Sequence, residues 1–373
     1  MEFTVSKSEL VRELSLSQGV VEKKTTIPIL SNVLIEAEGD RIILTATDLE
    51  LGIRCSCSAK VGKSGSGTIP ARRLLDYVRL LPEADIQVRF ADNQWASLLC
   101  GRSRTRIAGM SRESFPELPA MPELLAEIPV ALLSSMIQKT IFAISAEESR
   151  FTLNGALLLV RPDALTMVAT DGHRLSMVEE SVDLSLEEGT VYKALLPRKA
   201  MGEILKLAGE AEANSILRFS GDDNHLFFEI GERLLLSRKL TGNFPDYERV
   251  LPKDHPHSIA VSRTEFRAVI ERVAQFADER SRAIRVQLLP GEVKVLANLS
   301  ETGESEESVP VEYDGPQVEI GFNAQYLLDF LKAVSGETVE FRFRDAQSAG
   351  ELRPASDPET TETYRYVIMP MRI

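Results

Sequence analysis

An α+β fold built from three repeated domains, each with two helices packed on antiparallel sheets, is the architecture this chain predicts. Three observations carry it. A strand-then-helix opening occurs three times, the same short markers follow each opening in the same order, and the intervals between equivalent markers agree. The openings are FTVSKSELVRELSLSQGVV from Phe3, IPVALLSSMIQKTIFAIS from Ile128 and HSIAVSRTEFRAVIERVAQFA from His257. The next marker is LTATDLELG from Leu44, MVATDGHRL from Met167 and KVLANLSETGE from Lys294. The third is GTIPARRLLDYVRLLP from Gly67, KALLPRKAMGEILKLAG from Lys193 and EIGFNAQYLLDFLKAVSG from Glu319. Pro70 to Pro197 is 127 positions and Pro197 to Asn323 is 126; Thr47 to Thr170 is 123 and Thr170 to Asn298 is 128. A period of about 125 residues exceeds that of a solenoid, so each module can hold its own core. The modules are expected at 1–122, 123–252 and 253–373.

Within each module the elements follow from local patterns. Ser6 and Glu9 have the spacing of a capping box, which starts a helix. Apolar residues at helical spacing predict helices over 7–20, 70–81, 131–145, 197–209, 262–282 and 323–336. Between the helices, runs such as VLIEAEGDRIILTATDLELGIRCSCS alternate and read as antiparallel strands with tight turns. GKSGSG, residues 62–67, reads as a flexible turn. It is not a phosphate loop, because the first glycine of that motif would fall on Cys57. SFPELP from Ser114 and NFPDYERVLP from Asn243 end the first two modules, and VIMPMRI closes the third. The polar, proline-containing stretch 354–363 before the last strand reads as a long, mobile loop.

The chain has 373 residues, 43% hydrophobic and 27% charged, and no apolar run of membrane-spanning length. MEFTVSKSEL lacks the basic and apolar regions of a signal peptide, so a cytoplasmic location is expected. Three cysteines, Cys55, Cys57 and Cys100, fit a reducing compartment better than a disulfide framework. Cys55 and Cys57 share one face of a strand, but no second Cys/His pair at metal spacing accompanies them, so no metal or other cofactor is expected.

The net charge of −13 argues against nucleic acid as a partner, but its distribution argues the other way. The six predicted helices carry 0, +2, +1, +2, +1 and 0, a total of +6, which leaves −19 on the rest. On the helix 70–81, Arg72, Asp76 and Arg79 share one face, while Leu74, Leu75, Val78 and Leu81 share the other. The helices are therefore apolar inward and basic outward.

The stretch MVATDGHRLSM, with Asp171, His173 and Arg174 close together, has the residue types of a hydrolase or metal site. The first module carries the same TATD at Thr45–Asp48 without a histidine, so Thr170 and Asp171 read as a repeated turn element. There are four histidines, His173, His225, His255 and His257, and no nucleophile or metal set stands out. A three-repeat scaffold that binds no DNA is a further alternative, and the basic helices speak against it.

IPILSNVLIE, TATDLE, PARRLLD, GRSR, TLNGALL, ATDGHRL, LPRKAM, FPDYERVLPK and YVIMPMRI, taken in order, closely resemble the bacterial sliding clamps, the β subunits of the replicative DNA polymerase. The resemblance covers the whole chain. It implies a non-catalytic processivity factor: two chains close head to tail into a ring of six domains, helices line the hole, and duplex DNA threads it without sequence readout. It also implies that the replicative polymerase and the clamp loader dock through short peptides, and that the membrane plays no part. The family's DNA contacts fall on Lys24, Arg72, Glu147, Phe151 and Thr152. Its peptide pocket falls on Arg150, Leu153, Thr170, Gly172, His173, Arg174, Leu175, Pro245, Val250, Val367, Met369, Pro370, Met371 and Arg372. Its dimer interface falls near Arg104, Thr105 and Ile107 in the first module and Gln275 and Phe276 in the third; the bulky aromatic usual at Thr105 is missing.

Overall fold

The computed structural model describes residues 1–21, 26–299, 303–355 and 361–372. Six helices stand where the apolar periodicity put them, all shorter than expected and the fifth by about half: α1 Lys7–Gln18, α2 Ala71–Leu80, α3 Val130–Thr140, α4 Arg198–Gly209, α5 Arg263–Val273 and α6 Ala324–Ala333. Side-chain caps fix several starts. Ser6 Oγ accepts from Glu9 N at 3.3 Å, Ser262 Oγ from Glu265 N at 3.4 Å, and Asn323 Oδ1 from Gln325 N at 2.9 Å.

Two of the expected helices stop early for local reasons. The helix expected over 131–145 ends at Thr140, whose hydroxyl donates back to Met136 O at 2.8 Å. The helix expected over 262–282 ends at Val273 and passes into a 3-10 turn over Ala274–Phe276. Beyond it, Asp278 Oδ1 accepts from the amides of Arg280 and Ser281, and Arg282 has φ +50°, both incompatible with a continued helix. The helical charges remain 0, +2, +1, +2, +1 and 0 with these limits.

Residues 62–67 are a correction. They are not a flexible turn but the ends of two strands, Lys60–Lys63 and Gly65–Pro70, separated by Ser64 alone and belonging to different sheets. Ladder pairing to Glu2–Thr4 on one side and to Asn32–Ala37 on the other overrides the glycine content. The stretch 354–363 lies partly outside the described residues; Gly350–Pro354 and Glu362–Ile368 at its two ends are paired strands.

The fold divides into two compact units. The first, Met1–Ser134 with Lys199–Lys239, holds a five-stranded and an eight-stranded antiparallel sheet. The five-stranded sheet runs Lys60–Lys63, Glu2–Ser6, Asp85–Phe90, Trp95–Cys100, Ser103–Ala108. The eight-stranded one runs Ala126–Pro129, Ile216–Gly221, His225–Ile230, Arg233–Arg238, Leu51–Ser58, Arg41–Thr47, Asn32–Glu38, Gly65–Pro70. The second unit, Ser135–Arg198 with Leu240–Ile373, holds an eight-stranded and a four-stranded sheet. Its larger sheet runs Tyr192–Pro197, Gly155–Val160, Ala164–Thr170, Arg174–Ser181, Glu362–Ile368, Gly350–Pro354, Thr338–Phe343, His257–Ser262. The smaller runs Gly303–Pro310, Glu292–Leu299, Ala283–Leu289, Val318–Asn323.

Element order repeats with the sequence markers. Each module runs strand, helix, three strands, and then the same again, with Lys60–Lys63 added in the first. Both large sheets are made by one rule. The strand after the TATD or ATDG marker pairs with the last strand of the following module: Leu51–Ser58 with Arg233–Arg238, and Arg174–Ser181 with Glu362–Ile368. The two remaining members of the pattern are Ser103–Ala108, which ends the first module, and Gly303–Pro310, which follows the marker of the third. Both are edge strands.

Cys55 and Cys57 lie on the first of these junction strands, buried and unbridged. Burial pushes the Cys57 thiol up to about 12 and Cys55 higher still, so neither is a ready ligand or nucleophile. The described residues contain no cluster of three or more His, Cys, Asp or Glu able to hold a metal. No described helix is long and apolar enough to cross a membrane.

A buried ion pair fastens α1 to the far side of the first junction. Glu13, fully buried, accepts from Arg233 Nη2 at 2.6 Å and Nε at 2.9 Å, and from Arg12 Nε at 2.8 Å. Burial pushes the Glu13 pKa up, but the hydrogen bonds and charges of Arg233 and Arg12 outweigh it and leave the group below its ordinary value. The stabilisation is therefore complete above the ordinary glutamate range and is lost as pH falls through the depressed value. R233M, which removes two of the three guanidinium hydrogen bonds to this buried carboxylate and leaves it Arg12 alone, should cost about 3–5 kcal/mol. In thermal melts, the gap between wild type and E13Q should narrow on acidification; a gap independent of pH would refute the assignment.

Candidate functional site

The site grows from one turn. Thr170 Oγ1 donates to Arg174 O at 2.6 Å and accepts from Gly172 N at 3.1 Å. Asp171 Oδ1 accepts from His173 N at 2.9 Å and from Arg174 N at 3.1 Å. The first module repeats this bond for bond. Thr47 Oγ1 donates to Leu51 O at 2.9 Å and accepts from Leu49 N at 3.0 Å, and Asp48 Oδ1 accepts from Glu50 N at 2.9 Å and Leu51 N at 2.6 Å. The left-handed position is Gly172 (φ +88°) in one and Leu49 (φ +77°) in the other. The repeated TATD is a backbone device that reverses the chain between two strands. The corresponding tip in the third module, residues 300–302, lies outside the described residues.

What distinguishes the middle module is the residue after the turn. Leu51 is replaced by Arg174, which is buried. Its Nε donates to Asp171 Oδ2 at 3.0 Å, Nη1 to Asp329 Oδ2 at 2.6 Å and Nη2 to Phe142 O at 2.5 Å. The guanidinium lies 4.2 Å over the Tyr326 ring and 5.5 Å from that of Phe142. Burial disfavours this charge, but Tyr366, Asp329 and Asp171 more than offset it, and the pKa sits above that of an ordinary arginine. Asp171 is thus committed to two backbone amides and one arginine. His173 is exposed, and its carbonyl accepts from Met369 N at 2.9 Å. An acid–histidine dyad is not formed here.

Beside the turn lies a cleft of about 130 Å³, lined by Leu153, Thr170, Gly172, His173, Arg174, Leu175, Pro245, Tyr247, Val250, Val367 and Met369. Its floor is tightly packed: Leu175 and Val367 are cross-strand partners and belong to one buried cluster with Leu157, Val168, Met177, Leu195 and Phe244. Its rim is apolar and open, with Met369 44% and Val250 41% exposed. Ten of the fourteen pocket positions expected from sequence line this cleft. Arg150 stands behind it, donating to Asp171 O at 3.0 Å and pairing with Glu147 at 2.9 Å. Met371 N donates to Gly321 O at 2.8 Å, and Pro370 and Arg372 flank it outside the lining. Tyr247 was missed. It starts a 3-10 turn, Tyr247–Arg249, and its three-residue spacing from Val250 is the signal that could have found it.

The other expected site residues are dispersed. Lys24 lies outside the described residues. Arg72 is exposed on α2, 3.8 Å from Asp76. Phe151 and Thr152 form a 3-10 turn with Leu153, and Phe151 is 70% exposed. Arg104, Thr105 and Ile107 sit on the edge strand Ser103–Ala108, with Ile107 turned into the core. Gln275 and Phe276 lie in the 3-10 turn after α5.

A Cβ at Gly172 would come within 2.9 Å of Arg150 Nη1, and its backbone is left-handed. Gly172→Ala should therefore destabilise the second unit by about 1–2 kcal/mol; a thermal melt unchanged from wild type would count against this geometry.

Known proteins meet this chain along its full length. Models of the DNA polymerase III beta subunit match in order: the N-terminal domain over residues 1–119, the central domain over 127–246 and the C-terminal domain over 248–372. The beta sliding clamp of Chlamydia muridarum is 36% identical over 100% of this chain and 99% of its own. That of Pseudomonas aeruginosa is 36% identical over 100% of both chains. A crystal structure of the P. aeruginosa clamp bound to griselimycin superposes with a TM-score of 0.93 at 36% identity, covering 100% of each chain. With three modules of one element order, matched end to end by the three domain models, this chain belongs to the DNA polymerase III beta subunit family, the bacterial sliding clamps.

Proposed function

We propose that two copies of this chain close head to tail into a six-module ring that encircles duplex DNA and tethers a replicative polymerase to it. The modules are bounded at 1–122, 123–252 and 253–373. The single observation that carries this reading is the sheet-joining rule. Two junctions form within the chain, and the third pair of strands, Ser103–Ala108 and Gly303–Pro310, is left as two edges. A second copy satisfies both at once, and the ring has no free edge there. The edges carry opposite charge: Arg104 and Arg106 are exposed on the first, Glu304 and Glu306 on the second. Arg104, Thr105 and Ile107 then meet Gln275 and Phe276 of the partner.

Sliding needs attraction to phosphates without base contacts, because base contacts would pin the ring. Basic helices supply it: α2 exposes Arg72, Arg73 and Arg79. Lys24, Arg72, Phe151 and Thr152 are the proposed DNA contacts. Glu147 stands among them, its charge matched by Arg150. The role is one of binding, with no chemistry and no cofactor; the compartment is the cytoplasm, which suits three unbridged cysteines.

The cleft beside Arg174 takes short apolar peptides of the polymerase, the clamp loader and other DNA-processing proteins. Aliphatic walls and an exposed methionine suit ligands of several shapes. Arg150, Pro370, Met371 and Arg372 belong to its surround.

Three outcomes are expected. R104E/R106E should shift the dimer to monomer in sedimentation at micromolar concentration, and high salt should do the same to wild type; a variant as dimeric as wild type would refute the interface. Rings loaded on circular DNA should be retained and then lost when the DNA is cut; equal retention on both forms would mean ordinary affinity. Val250→Asp and Met369→Asp should abolish griselimycin binding without altering the melt, and unchanged affinity would remove the cleft from consideration.

A further inference from the structure

The second helix of each module carries an acid at one repeated position: Asp76 in α2, Glu203 in α4 and Asp329 in α6. In α2 and α4 that acid pairs within its own helix, Asp76 with Arg72 at 3.8 Å and Glu203 with Lys206 at 2.7 Å. Asp329 keeps such a bond, accepting from Gln325 Nε2 at 2.7 Å, but its other oxygen accepts from Arg174. The difference in setting is large. The Asp76 side chain is 63% exposed and that of Asp329 only 19%; Glu203, at 7%, is buried too but its ion pair stays within its own helix.

Arg174 lines the cleft, and four of the contacts of its guanidinium are to Asp171 within the turn, Phe142 O, Asp329 and the Tyr326 ring. Two of the four, Asp329 and Tyr326, come from α6, and neither lines the cleft. Tyr326 is itself held, because its carbonyl accepts from Tyr366 OH at 2.9 Å. We infer that Asp329 is a positioning residue of the cleft: it aims Arg174, and through Arg174 fixes the Gly172–Leu175 wall against which a ligand packs. The inference rests on the cleft being the peptide site. Without the Asp329 charge, the guanidinium loses the one carboxylate outside its own turn and swings toward Asp171, and the wall loses its brace on α6.

The test uses the full-length dimer and griselimycin as probe, with Kd read by calorimetry. Asp329→Asn should weaken binding about tenfold or more, the order expected when a charge-assisted hydrogen bond to a binding residue is lost. Asp329→Glu, which keeps the charge, should recover most of that loss. Asp76→Asn, the repeat-equivalent change on α2, should leave the affinity within about twofold, below the effect of one such bond. The dimer and the melt of each variant are measured alongside, since a merely structural role would lower the melt and leave Kd alone. If D329N binds as tightly as wild type while Met369→Asp abolishes binding, the positioning role is wrong and the cleft stands. If Met369→Asp binds as wild type does, the cleft assignment and this inference fall together.

Discussion

The constraint on which this structure depends is that the strand after each turn marker has a neighbour from its own module on one side only. None of the three modules covers the other side. In two places the chain solves this internally, by laying the last strand of one module against the post-turn strand of the module before it: Leu235 opposite Ile53, and Leu175 opposite Val367. The middle module is consequently shared out. Its strands Ile216–Arg238 complete one sheet and its strands Gly155–Pro197 complete another, so the compact units do not follow the sequence repeats. A repeat in sequence marks a unit of topology, and the unit of packing is the junction between repeats.

The same constraint bears on charge. Edge strands invite any other strand, and the two left over by the junction rule, Ser103–Ala108 and Gly303–Pro310, carry opposite signs, which favours each other and disfavours self-pairing. The excess of positive charge on the helices survives their shortened limits, because the residues lost from the end of α5 sum to zero. Positive charge is thus carried by regular elements whose apolar faces are buried, while the rest of the chain supplies the acidic remainder.

Much of this was legible in the sequence because it is local or periodic. Marker spacing fixed the number of modules, and the Ser6–Glu9 capping box fixed the start of the first helix. The TATD comparison separated turn chemistry from apparent catalysis. The failures share a cause as well. Glycines at 62–67 suggested a loose turn, but long-range ladders decide strand formation there. Continuous apolar spacing beyond Val273 suggested more helix, but the Asp278 side chain captures the following amides. Tyr247 and Asp329 enter the site through contacts between segments far apart in sequence, and no local pattern reports such contacts.

Arg174 shows how a repeat acquires function. The turn that precedes it is structural, since the first module builds it with the same hydrogen bonds and a leucine at the following position. Replacing that leucine by arginine puts a charge into a buried place, which is costly unless partners are supplied. The partners are a carboxylate already present in the turn, a carbonyl before the strand, and a carboxylate and an aromatic ring on α6. Once all four are in place the arginine cannot move independently of any of them. The wall of the cleft, a strand of the junction between modules and a helix of the third module thus meet at one side chain. The repeat supplies the turn, and departures from it at Gly172, Arg174 and Tyr326 shape the cleft where strands of the middle and third modules meet.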